Sequence, residues 1–118
     1  MKTKTTTLIK TLAIASVVSG ALSCWSASAA TTQENWDHNC AACHGKDGKG
    51  QTMMGRKFGL KDYTDPKVQS SFTDEEATKA IKEGVKKDGK QEMKAFGDKF
   101  SDDDIKALVK YVRDFKGK

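Results

Sequence analysis

The sequence predicts a small all-α domain behind an export signal, on three observations. Thr73-Asp74-Glu75-Glu76 and Ser101-Asp102-Asp103-Asp104 each read as a helix start followed by apolar residues at helical spacing. No period-2 apolar run of useful strand length occurs along the chain. Glycines at 45, 48, 50, 55 and 59 break the middle into loops. With 118 residues, one small domain is the most the chain can form.

The first 30 residues read as a secretory signal and not as part of the domain, which is expected over residues 31–118. Lys2, Lys4 and Lys10 form a positive start, Leu12 to Leu22 an 11-residue apolar run, and Ala27-Ser28-Ala29 a small-residue cleavage site. The run is about half the ~20 residues that a membrane span needs. Lipidation at Cys24 fits poorly, because alanine stands three residues before it where a large aliphatic is expected. Cleavage after Ala29 or Ala30 leaves 18 Lys and Arg against 16 Asp and Glu, a net charge of +2 in place of the full chain's +5. So mixed a pattern does not suggest nucleic-acid binding.

Gln33 to Cys43 reads as a helix carrying Trp36, Cys40 and Cys43 at helical spacing. Asp65-Pro66 is a turn signal. Thr73 and Glu76 form a capping box for a helix that turns Ala77, Ala80 and Ile81 inward and ends near Gly84. Lys86 to Gly97 is polar and contains glycine, so a loop is expected there. Ser101 caps the last helix, and three aspartates sit at the positive end of its dipole. Ile105, Leu108, Val109, Val112 and Phe115 form its apolar stripe, with Tyr111 beside it.

Cys40-Ala41-Ala42-Cys43-His44 carries the chemistry. C-x-x-C-H is the spacing of a c-type haem attachment site. Cysteines three apart share one side of a helical turn, so both sulfurs can reach the vinyl groups of one haem. The following histidine is then placed to bind the iron. Three other readings are weaker. A Cys40–Cys43 disulfide closes too short a loop to stabilise much. A thioredoxin-like pair needs a βαβ context that is missing. A zinc site would have to wrap His38, Cys40, Cys43 and His44 from one seven-residue stretch.

With these residues in view, the chain resembles a small monohaem class I cytochrome c of the bacterial, exported kind. The resemblance implies N- and C-terminal helices that cross around one covalently bound haem. Met93 in Gln91-Glu92-Met93-Lys94-Ala95-Phe96 matches the family's distal ligand segment, and Tyr111 matches a tyrosine that packs on the aromatic position held here by Trp36. His38 lies on the same helix as His44 and cannot reach the other face of a haem. Among Met53, Met54 and Met93, the last follows His44 by 49 residues and has the chain length to cross over. Cys40, Cys43, His44 and Met93 are therefore the expected haem-binding residues, with His44 and Met93 on the metal. The chain departs from the family in having Thr32 where glycine is common and no evident proline carbonyl for the second His44 N–H. Gln51, Arg56 and Lys57 are candidates for the propionates.

Haem also supplies core that so short a chain lacks. Burial of ~500 Å² of apolar surface gives about 12 kcal/mol of gross stabilisation, so folding is expected to depend on it. A thioether ligand favours Fe(II) and saturates the iron, so the expected function is single-electron shuttling between larger redox proteins in the periplasm, by a monomer and not an enzyme. Alternatives are a haem subunit of a respiratory complex and, less favoured, a peroxidase-like enzyme. Lys46, Lys49, Lys86, Lys87, Lys90 and Lys94 would steer docking to an acidic partner if they surround the haem edge.

Overall fold

The computed structural model describes residues 26–118, and the expected signal segment up to residue 25, with Cys24, lies outside the described residues. Among the described residues six helices and one hairpin follow in order. They are α1 (Ser26–Asn39), α2 (Ala41–His44), α3 (Met53–Phe58), α4 (Pro66–Gln69), α5 (Asp74–Glu83), β1 (Val85–Lys87), β2 (Lys90–Met93) and α6 (Asp102–Arg113). Among the described residues no helix is long and apolar enough to cross a membrane.

α6 is the centre of the packing. Ser101 Oγ accepts from the Asp104 N–H at 3.1 Å, and Asp104 Oδ2 accepts from the Ser101 N–H at 3.1 Å. This reciprocal cap satisfies two groups that the first turn would otherwise leave orphaned. All five residues of the expected stripe, Ile105 to Phe115, are buried. They meet Trp36 of α1, whose ring lies 5.5 Å from Tyr111 and 5.2 Å from Phe115. That contact is the expected crossing of the two terminal helices. Phe96 and Phe100 complete the core.

The architecture is mostly helical, as expected, but not wholly so. The expected loop over 86–97 contains an antiparallel hairpin that pairs Val85 with Met93, Lys86 with Gln91 and Lys87 with Lys90. Asp88 at φ +50° and Gly89 at φ +75° make the two-residue turn that matches strand twist. Strands of three and four residues with an exposed outer half carry no alternating apolar signal. The first helix also differs from the expected Gln33–Cys43 span. α1 begins at Ser26, and a break at Cys40 separates it from the single turn α2.

Candidate functional site

The C-x-x-C-H motif sits in a segment fixed by its own backbone. The His44 N–H donates to Cys40 O at 2.9 Å, and the Gly45 N–H to Ala41 O at 2.8 Å. Beyond the motif the chain folds back on it: the Gly50 N–H donates to His44 O at 2.8 Å, and Thr52 Oγ1 donates to Cys43 O at 2.7 Å. Thr52 Oγ1 also accepts from the Gly55 N–H at 2.8 Å, capping α3. Gly55 is pressed into this seam, where a Cβ would lie 2.0 Å from Gly50 O and 2.7 Å from Cys43 O. Only glycine lets α3 dock so closely.

An apolar cavity of ≈ 370 Å³ opens beside the motif. Trp36, Cys40, His44, Tyr63 and Phe72 contribute to its lining from the first part of the chain. Ala77, Ala80, Ile81, Val85 and Met93 come from α5 and the hairpin, and Leu108 and Val112 from α6. Lys61 and Glu76 are its charged residues. Cys40, His44 and Met93 thus share one cavity, while Cys43 is half-buried on α2 and does not line it. Met53 and Met54 stand exposed on α3, 80% and 37% accessible, away from this lining. His38 is exposed on α1.

Met93 is brought to the cavity by the end of α5. Gly84, at φ +76°, ends that helix with its Cα against the hairpin, where a Cβ would come within 2.5 Å of Met93 O. Just past Met93, the Phe96 N–H donates to Ile81 O at 2.8 Å and the Gly97 N–H to Lys82 O at 3.1 Å. Phe96 is buried, so the third residue after the methionine anchors the segment to the core.

Burial lowers the His44 imidazole from 6.5 to about 4, so at neutral pH the ring is uncharged and offers a lone pair. Its Nδ1 is buried with no hydrogen-bond partner among the described residues. Burial, and then the neighbouring Cys43, pushes the Cys40 thiol up to about 11 against an opposing pull from Lys99. These properties suit the haem that the motif implies: a neutral nitrogen donor, thiols beside it, a thioether, and apolar walls of the size that cofactor sites have, ~300–1,000 Å³. Among the described residues no group of three or more His, Cys, Asp or Glu is placed to hold a metal ion by itself.

Several site features escaped the sequence. Tyr63 stacks on the His44 ring with centroids 5.3 Å apart and planes at 19°. Trp36 flanks the same ring at 5.8 Å, and its Nε1 donates to Gly45 O at 3.1 Å. Lys61 is the cation on the cavity; Gln51, Arg56 and Lys57 are exposed and do not line it. Pro66 starts α4, and its carbonyl accepts from the Ser70 N–H at 3.1 Å, leaving His44 unserved by it.

The family described as "Cytochrome C oxidase, cbb3-type, subunit III" matches residues 27–112. Among solved structures, the KustC0563 c-type cytochrome is 32% identical, with a TM-score of 0.64, covering 72% of this chain and 96% of that one. A tyrosine-to-phenylalanine mutant of the same cytochrome is also 32% identical, with a TM-score of 0.62, covering 72% and 98%. No curated protein matches the chain. The C-x-x-C-H motif, the crossing of α1 and α6 and a family match across the described domain lead to one assignment: the chain belongs to this family of c-type cytochrome domains and is a small cytochrome c.

Proposed function

We propose that the chain is an exported carrier of single electrons, with one haem held covalently by Cys40 and Cys43 and ligated at iron by His44 and Met93. The observation that carries the proposal is the cavity on which Cys40, His44 and Met93 converge, in a chain with a single C-x-x-C-H motif. When bound, the haem supplies a one-electron iron couple. Cys40 and Cys43 tether it, so a small open cavity need not enclose it. The neutral His44 ring would offer its lone pair to the iron and the Met93 thioether would offer a second donor, which would favour Fe(II) and leave no position on the metal for a substrate. The apolar walls would lower the polarity around the group.

Export is supported by the signal features over residues 1–30 and by the chemistry of covalent haem. For the partner, the hairpin offers a basic surface: Lys86, Lys87 and Lys90 are exposed on it, and Lys94 follows it, next to cavity-lining Val85 and Met93. Such a surface steers encounter with an acidic redox protein. The association rate with such a partner should fall as ionic strength rises; a flat or rising dependence sinks the steering. A second reading, a haem subunit of a respiratory complex, draws on the family's description. Its signature would be co-migration with a larger complex on native gels of solubilised membranes.

Mass spectrometry of the exported protein, with a haemochrome spectrum, tests the main reading. The expected result is cleavage after Ala29 or Ala30 and one haem mass. Met93→Ala should lose the methionine-to-iron charge-transfer band and keep the covalent haem; survival of that band refutes the ligand assignment. Haem-free protein should be mostly unfolded, and a cooperative thermal transition without haem would count against that dependence.

A further inference from the structure

We infer that Tyr63 is a positioning residue for the iron-binding imidazole: its ring sets the plane of His44 by stacking, within a wall that Gln69 and Arg113 tie to α6. The inference rests on the reading of His44 as the haem-iron ligand.

A metal-bound imidazole is ordinarily oriented through its other nitrogen, which donates to a carbonyl or carboxylate. His44 departs from this, because its Nδ1 is buried and has no partner among the described residues. Two candidate carbonyls, one adjacent in sequence and one from the chain's single proline, already accept other hydrogen bonds. Gly45 O accepts from the Trp36 indole at 3.1 Å, and Pro66 O accepts from the Ser70 N–H at 3.1 Å. Aromatic rings touch the imidazole instead. Trp36 is tilted at 42° to it, whereas Tyr63 lies nearly parallel at 19° and 5.3 Å. Of the two, Tyr63 is the ring whose plane the imidazole follows.

A stacking partner can orient another ring only if it is itself fixed. The Tyr63 N–H donates to Gly48 O at 2.9 Å, in the loop just after the motif. Its carbonyl accepts from Gln69 Nε2 at 2.7 Å, and the same nitrogen donates to Val112 O of α6 at 2.8 Å. Gln69 is the buried polar residue of this region, 5% exposed, and such a group is costly unless paired. Its Oε1 accepts from Arg113 Nη1 at 3.0 Å. Arg113 Nη2 donates to Phe72 O at 2.9 Å, and the guanidinium covers the Phe72 ring at 4.2 Å. Phe72 in turn meets Tyr63 edge-on at 5.9 Å and 63°. The amide, the guanidinium and two rings thus lock the wall behind His44 onto the most buried helix.

The imidazole plane decides which iron d orbital takes part in π overlap. In the ferric state the imidazole plane, together with the orientation of the thioether, sets the spread and order of the four haem methyl resonances. The test is proton NMR of ferric holo-protein for the wild type, Tyr63→Phe, Tyr63→Leu and Gln69→Leu. Tyr63→Phe keeps the stacking face and should keep the wild-type methyl order. Tyr63→Leu should change that order or collapse the spread, and Gln69→Leu, which cuts the tether but keeps the ring, should move the spread the same way by less. Wild-type spread and order in both leucine variants overturns the inference. If Tyr63→Leu does not accumulate, Gln69→Leu decides alone. Failure of the underlying reading looks different: the wild type would carry no covalent haem, or His44→Ala would leave the axial-ligand spectrum unchanged.

Discussion

The two segments that bring donors to the cavity are built to different standards. The motif segment is held from several sides. Cys43 O and His44 O accept from Thr52 and Gly50, Trp36 donates to Gly45 O, and Gly55 admits backbone on two sides. The hairpin segment that carries Met93 is exposed from Val85 to Gln91 and is anchored at its base, by the Phe96 and Gly97 amides on the end of α5. A lone two-stranded hairpin is marginal in water. His44 therefore stands on a segment tied from several sides, and Met93 on an element with few ties to the core. On the proposed ligation, the histidine side would fix the haem and the methionine side would release first.

The largest expected effect breaks the rigid side. In Gly55→Ala the new Cβ meets carbonyl oxygens of Gly50 and Cys43, both backbone and unable to swing away. The cost should exceed about 4 kcal/mol or abolish accumulation of holo-protein. A denaturant titration of the holo-protein measures it, and a cost under about 1 kcal/mol would refute the rigid seat. Next comes the contrast itself. Amides of Lys86 to Gln91 should exchange hydrogen roughly 100-fold faster than those of His44, Gly45 and Gly50, a difference of about 3 kcal/mol in opening free energy. In the same direction, denaturant should remove the methionine-to-iron band before it removes helicity. Coincident transitions would mean the two segments open together.

A smaller effect tests the aromatic side of the rigid seat. Trp36→Phe keeps a ring against Tyr111 and Phe115 but removes the donor to Gly45 O. A buried carbonyl that loses its partner costs about 1–3 kcal/mol. Lys90→Ala on the hairpin should stay within about 0.5 kcal/mol, because its side chain is exposed and outside the core. Unfolding midpoints of the two variants, read side by side, give the comparison directly.

The rigid side was also the legible side. The motif, Trp36 against Tyr111, the α6 stripe, the Thr73 capping box and the Ser101 cap follow from local spacing, which is where one sequence carries its signal. Met93 was legible only through its distance from His44 and through a resemblance. The hairpin was missed because its strands are short and polar, although Asp88-Gly89 is a turn signal that could have found it. α3 and α4 are single short helices in a stretch that glycines and a proline mark as loop. Gln69, Arg113 and Tyr63 were invisible for a different reason. Gln69 and Arg113 are 44 residues apart, and nothing periodic marks a glutamine for burial. Burial of a polar group is decided by what the rest of the chain places around it.

The smallest expected effect lies on the wall between the two segments. Burial, and then the neighbouring Cys40, raise the Tyr63 phenol above its usual value near 10. A raised acid keeps its proton in the folded chain at a pH where the unfolded chain has released it. Its contribution is therefore complete below about pH 10 and lost as pH climbs through the folded value. Tyr111 is raised in the same direction by burial, so both tyrosines of the chain act on this alkaline limb. Tyr63→Phe removes one of them. Stability of the variant should match the wild type in its pH dependence through the neutral range and fall less steeply above pH 10, by denaturant titration at stepped pH. An identical alkaline slope would mean that Tyr63 ionises as freely in the fold as out of it. The stacked wall would then be open to water on its phenolic edge, and the packing around His44 looser than its neighbours imply.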